Sequence, residues 1–354
     1  MLSFTEMLNA AVSAGASDIL IVAGQPLSYK AGSKITTLGD EKVMPDTALA
    51  LIQEAYTLAN RTIDHLFSDG DDDFSLSVKG LTRLRISTYR QRGSYAAVLR
   101  VISFGIPDYR ERNIPDNVME VADLQKGLVL VTGTAGSGKS TTLACIIDRI
   151  NKTRSGHIIT LEEPIEFLYR NDKSIISQRE IELDTRDYHT ALRACLRQAP
   201  DVILLGEMRD YETISTAMTA AETGHLVLST LHTLGAVNTI DRIIDIFPPQ
   251  QQPQIRVQLS AILRYVISQQ LLPTVDGRIV PAFEVMRVNG AIRNMIRESK
   301  VHQIDSTIAV SSAEGMIGMD AALEKLFKSG VISAETAIRS SLHPETMIKK
   351  IPIK

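Results

Sequence analysis

Apolar residues recur at helical spacing through Phe4, Met7, Leu8, Ala11 and Val12, and Gly15 stops the pattern. Asp18-Ile19-Leu20-Ile21-Val22 follows as a strand. Residues 46–66 return to helical spacing. The acidic turn Asp69-Gly70-Asp71-Asp72-Asp73 then leads into Phe74-Ser75-Leu76-Ser77-Val78, where apolar and polar positions alternate as in a half-buried strand. Leu84, Ile86 and Thr88 alternate with Arg83, Arg85 and Ser87 in the same way. This patterning predicts a small α+β domain over residues 1–102.

Gly105-Ile106-Pro107, the charged run from Asp108 to Arg112, and Pro115 have the composition of a linker, placed at 103–115. From 116 to 354 the pattern changes. Leu128-Val129-Leu130-Val131, His157-Ile158-Ile159-Thr160-Leu161, Val202-Ile203-Leu204-Leu205 and Leu226-Val227-Leu228-Ser229-Thr230 are short apolar runs separated by helix-length segments. They read as buried parallel strands, which makes the fold class α/β. After about residue 250 the spacing is mostly helical, through Ile255 to Leu272, Ala291 to Ile296 and Ala321 to Leu326, so a helical C-terminal subdomain is expected.

Length and composition agree with two globular domains, since 354 residues with 44% hydrophobic and 22% charged content can bury a sizeable core. A formal net charge of −3 argues against a surface built to neutralise nucleic-acid phosphates, and no nucleic-acid partner is expected. The N-terminus lacks the basic and apolar regions of a signal peptide, and no apolar run reaches the ~20 residues of a membrane span, so a cytoplasmic protein is expected. Cys145 and Cys195 both lie in apolar, helix-like stretches; they read as buried thiols and cannot form a four-cysteine zinc site.

The strongest chemical signal is Gly133-Thr134-Ala135-Gly136-Ser137-Gly138-Lys139-Ser140-Thr141, which matches the P-loop pattern between an apolar strand and a helix. Glycines let backbone N–H groups turn inward around a β-phosphate, and the helix N-terminus favours the anion. Lys139 is placed to reach the β- and γ-oxygens of ATP, and Ser140 to ligate Mg²⁺. The loop fixes the ligand class but not the reaction, because kinases, GTPases and ATPases share it.

The next strand ends in Glu162-Glu163-Pro164-Ile165-Glu166, three carboxylates where a parallel sheet opens its ligand crevice. An acid there can orient or deprotonate a water, although a solvated acidic loop has the same composition. The run Val202–Leu205 followed by Gly206-Glu207 reads as a Walker B strand, with Glu207 holding the water shell of Mg²⁺. His225 and His232 bracket the fourth strand and are expected near the ligand edge, where they could sense a γ-phosphate. Taken singly, each is more often structural than catalytic.

The order of Gly133–Thr141, Glu162–Glu166, Gly206-Glu207-Met208-Arg209-Asp210, Ala221-Glu222-Thr223-Gly224-His225 and Leu231-His232-Thr233 resembles the secretion ATPase superfamily, and within it the PilT family of twitching-motility retraction ATPases. Ala291-Ile292-Arg293-Asn294-Met295-Ile296-Arg297-Glu298 is similar to a segment characteristic of the retraction enzymes. The resemblance implies a PAS-like N-terminal domain, a RecA-like ATPase domain and a homohexameric ring that hydrolyses ATP to disassemble pilin through an inner-membrane platform protein. It also implies a place at the inner face of the cytoplasmic membrane and a possible paralogous accessory ATPase as partner. By it Glu166 is the water-activating base, Glu207 the Walker B acid, Glu162 and Glu163 an acidic box, and His225 and His232 a histidine box. Arg85 and Arg100 are the arginines expected to act on a neighbouring subunit's nucleotide. The chain departs from the family at Thr134-Ala135, at Glu163 and at Leu234-Gly235. The alternatives are a pilus-extension or type II secretion ATPase and, from a different class, a nucleic-acid translocase on the same core.

Overall fold

The computed structural model describes residues 2–32, 34–102 and 105–351. The chain divides into two compact units, one of residues 1–105 with 166–168, the other of 106–165 with 169–354. Ser103 and Phe104 of the expected linker lie outside the described residues, and 105–115 run as bends, turns and irregular backbone.

The first unit begins with α1 (Phe4–Ser13), closed by a capping box in which Ser3 Oγ accepts from the Glu6 N–H and the Glu6 carboxylate accepts from the Ser3 N–H. Strands β1 (Asp18–Ile21), β2 (Pro26–Ala31) and β3 (Lys34–Lys42) precede α2 (Pro45–Leu58) and α3 (Asp64–Asp69); β4 (Asp71–Val78), β5 (Thr82–Gln91) and β6 (Ser94–Ile102) follow. The strands form one antiparallel sheet in the order β3-β2-β1-β6-β5-β4. Alternation sends Ile19, Ile21, Leu84, Ile86 and Leu99 into one core with Phe4, Leu8, Leu51 and Ile52 from the helices.

The second unit starts with α4 (Asp116–Met119) and is built on β7 (Gly127–Thr132), β8 (His157–Glu162), β9 (Ile175–Glu180), β10 (Val202–Leu205), β11 (Leu226–Leu231), β12 (Leu263–Pro273) and β13 (Ile279–Arg287). Their order is β13-β12-β7-β11-β10-β8-β9; the pairs are parallel except β12 with β13. Helix α5 (Lys139–Thr153) follows β7, α6 (Tyr188–Cys195) precedes β10, α7 (Tyr211–Glu222) follows it, and α8 (Ala236–Asp245) and α9 (Gln252–Ile262) follow β11. Leu128, Leu130, Ile159, Leu161, Ile203 and Leu205 enter one core with residues of α6 to α9. Val129, Val131, Ile158, Val202 and Leu204 enter another with Leu143, Ile146 and Ile150 of α5. A sheet covered on both faces requires the near-continuous apolar runs seen in the sequence.

The expected helical run from Ile255 to Leu272 needs correction. Helix α9 ends at Ile262, and Leu263, with extended backbone, begins β12 at once. Pairing with β7 on one side and β13 on the other overrides the local spacing, and Tyr265, Val266 and Ile267 are all buried. The C-terminal part is therefore a β-hairpin followed by α10 (Gly290–Arg297), α11 (Ile304–Val310), α12 (Met319–Lys328), α13 (Ala334–Ser340) and α14 (Pro344–Lys350). The last three helices close a small core with Leu272, Val280 and Ala282. Among the described residues, no helix is long and apolar enough to cross a membrane.

Candidate functional site

Strand β7 is buried along its whole length and delivers the chain to a tight turn. At Gly133 φ is +143°, and a Cβ there would lie 2.3 Å from the carbonyl oxygen of Gln269 and 2.6 Å from Ser137 Oγ. A side chain at 133 therefore demands backbone movement. Gly138, at φ +88°, is the N-cap of α5, and a Cβ there would lie 2.7 Å from Gln269 Nε2. The turn leaves the N–H groups of the loop at the N-terminus of a 15-residue helix, where an anion is favoured. Lys139 is buried and arches back over the loop, its Nζ donating to Gly133 O at 2.8 Å and to Thr134 O at 2.9 Å. Thr134, Gly136 and Ser140 are exposed and Thr141 is half-buried. Ser137 Oγ is buried without a hydrogen-bond partner among the described residues.

Because β8, β10 and β11 run in register with β7, their C-terminal ends reach the same edge as the loop. Glu162 closes β8, where its Oε1 accepts from Thr160 Oγ1 at 2.6 Å and from Gln178 Nε2 at 3.3 Å. Glu207 follows β10; its Oε2 accepts from Arg209 Nε at 2.8 Å and its Oε1 lies 3.1 Å from His232 Nε2. That carboxylate holds the Arg209 guanidinium above its ordinary pKa. Arg209 Nη1 also lies 3.9 Å from Glu163 Oε2. Thr230 Oγ1 donates to Gly206 O at 2.6 Å, tying the end of β11 to the turn that carries Glu207. Glu162, Glu163, Glu207, Arg209 and His232 thus share the edge at which the phosphate loop opens.

His225 is not there, which corrects the expectation of two histidines at one ligand edge. It precedes β11; its carbonyl accepts from the Gly127 N–H at 3.0 Å and its Nδ1 lies 2.9 Å from Ala220 O. Gly127 opens the strand whose far end is the loop. At ~3.3 Å per residue, a strand's length puts His225 about 20 Å from His232, on the opposite edge of the sheet. Glu166 is an exposed carboxylate in the segment 166–168, which belongs to the first unit. Arg85 and Arg100 stand directly opposite one another on β5 and β6, both exposed, and Arg100 Nε donates to Asp18 Oδ1 at 3.0 Å.

Two residues carry more of the site than sequence reading gave them. Arg209 was visible only as part of the Gly206–Asp210 run. Gln269 had no local signal, because Thr142, whose Oγ1 donates to Gln269 Oε1 at 2.7 Å, is 127 positions away.

For Mg²⁺, Ser140 and Glu207 offer hard oxygen donors beside the loop. No group of three or more His, Cys, Asp or Glu among the described residues could hold a metal. Mg²⁺ bound chiefly by phosphate oxygens and water needs no such cage, so the donor set fits.

Residues 2–316 match the family described as Type II/IV secretion system protein. The chain belongs to this family. Within it, the chain is 41% identical over 344 residues to the Type IV pilus retractation ATPase PilT of Pseudomonas aeruginosa, covering 97% of this chain and 99% of that one. Identity to the Type IV pilus ATPase PilU of the same organism is 36% over 339 residues, covering 95% and 88%. Among solved structures, the pilus retraction motor PilT with bound ADP superposes with a TM-score of 0.89 at 45% identity, covering 98% of this chain and 99% of that one. The resemblance to the retraction ATPases read from the sequence is borne out, and so is the α/β class.

Proposed function

We propose that this chain is a motor ATPase that hydrolyses ATP to drive pilus retraction and twitching motility. The observation that carries the reading is 41% identity to a pilus retraction ATPase extending over 99% of that protein's length, with the phosphate loop at its centre. ATP seats on Gly133–Thr141, and Lys139 exchanges its two carbonyl partners for β- and γ-phosphate oxygens. Ser140 and, through water, Glu207 would hold Mg²⁺, whose charge would offset that developing on the γ-phosphoryl group. Glu166 takes the proton of the attacking water, Glu162 and Glu163 form the acidic box, and His232 beside Glu207 responds to the γ-phosphate. Arg85 and Arg100 act on the nucleotide of a neighbouring copy in a homohexameric ring. The ring works at the inner face of the cytoplasmic membrane on a pilus platform protein, with a paralogous ATPase as a possible accessory.

Purified protein separates the roles. Lys139→Ala lowers affinity for fluorescent ADP by at least about 10-fold, whereas Glu166→Gln binds the nucleotide but releases no phosphate. Normal hydrolysis by Glu166→Gln would move the base to Glu162, Glu163 or a neighbouring copy. Cells lacking the gene are expected to be hyperpiliated and unable to twitch; bald cells would instead assign the chain to extension.

A further inference from the structure

Tyr188 opens α6, capped by Asp187, and its ring packs against the core that contains Leu205 and Met208. Its hydroxyl leaves that core at the catalytic edge. A Cβ placed on Gly206 would lie 2.7 Å from Tyr188 Oη, 3.2 Å from Leu161 O and 3.5 Å from Glu162 Cα. The phenolic oxygen therefore stands between the ends of β8 and β10, over the turn that carries Glu207, and the missing side chain of Gly206 leaves it the room. Burial and then Glu163 push the phenol's pKa up, joined by Glu162 and Glu207 and opposed by Arg209, so the group keeps its proton at any physiological pH. Yet no hydrogen bond joins Tyr188 Oη to any described residue. A protonated donor at the strand ends that carry Glu162 and Glu207, with no bond made to any described residue, is free to donate to a polar guest.

We propose that Tyr188 is a catalytic residue of the ATPase, its Oη–H donating a hydrogen bond to the water that attacks the γ-phosphate at the ends of β8 and β10. The proposal rests on the reading of this edge as the hydrolytic site. In the step, the water oxygen forms a bond to the γ-phosphorus while the bond from that phosphorus to the bridging oxygen of ADP breaks. The proton of the water passes to the carboxylate base. Tyr188 changes no bond and keeps its own proton. By holding one lone pair of the water, it leaves the other directed at phosphorus, a positioning effect realised as the transition state forms.

Tyr188→Phe removes one oxygen and keeps the ring in its core. The expected result is a fall of about 10-fold in kcat for phosphate release, the loss of one hydrogen bond in the transition state, with KM unchanged. Affinity for fluorescent ADP and the melting temperature should also stay at wild-type values. A kcat within about 2-fold of wild type overturns the proposal, as does a kcat loss accompanied by weaker ADP binding and a lower melting temperature, which marks a structural role. Glu207→Gln is measured alongside. If it loses turnover while Tyr188→Phe does not, only the tyrosine assignment falls; if it retains full turnover, the hydrolytic edge is misplaced and both readings fall.

Discussion

Replacing Gln269 by Leu keeps a side chain of similar size but withdraws the oxygen that accepts from Thr142 Oγ1 at 2.7 Å. Gln269 is 3% exposed and Thr142 0%, so water cannot replace the lost bond. An orphaned buried hydroxyl costs about 1–3 kcal/mol. Thr142→Val alone strands the Gln269 oxygen instead, at about the same cost of 1–3 kcal/mol. With both changes present neither polar group remains to be stranded, so the pair should show a coupling of about 1–3 kcal/mol. Urea titrations of the wild type, the two single variants and the double variant, followed by circular dichroism, give this coupling directly. Nucleotide binding should behave differently. The Gln269 side-chain amide lies against Gly138, the N-cap of the helix that opens at the loop, so every variant carrying Gln269→Leu binds fluorescent ADP more weakly, and Thr142→Val does not rescue it. Stabilities that add to within about 0.3 kcal/mol would refute the coupling assigned to this buried bond.

Gly133→Ala drives a methyl to 2.3 Å from a backbone oxygen that no rotamer change can move. It should fold with a stability loss of about 1–3 kcal/mol, and equilibrium dialysis should find ADP binding abolished; binding at wild-type affinity would contradict the loop geometry. Glu284, 2% exposed on β13, accepts N–H bonds from Ala236 at 2.6 Å and Met319 at 3.2 Å, the first residues of α8 and α12. Burial raises its pKa, the two N–H bonds oppose this, and Asp305 and Asp320 add to the rise. A raised folded-state pKa means that its stabilisation is complete below the ordinary carboxylate value of about 4.3 and is lost as pH climbs through the raised value. The melting temperature of the wild type should therefore fall relative to Glu284→Gln as pH increases across that window, and scanning fluorimetry showing the reverse slope would contradict the assignment.

The parts of the molecule legible in the sequence are those whose physics is local or forced by burial on two faces. Strands β7, β8, β10 and β11 announce themselves because each must be apolar on both sides. The phosphate loop is legible because its glycines, lysine and serine act within nine consecutive residues. Strand β12 was hidden because Leu263, Val266 and Ile267 continue the spacing of α9, and only the partners β7 and β13, remote in sequence, decide between helix and strand. His225 was misplaced for a related reason. Local sequence says that a histidine flanks a strand, while which edge it occupies depends on the direction of that strand beside β7. Gln269 and Tyr188 were silent because their roles come from contacts with residues far along the chain.

The most direct test of a motor that spends ATP on retraction is to watch fluorescently labelled pili in living cells whose only copy of this gene encodes either the wild type or Lys139→Ala. Extending pili that pull back with the wild type, and long pili that extend but never shorten with the variant, are the expected result. Retraction at wild-type frequency in the variant cells, or the absence of any pili in them, would contradict the account.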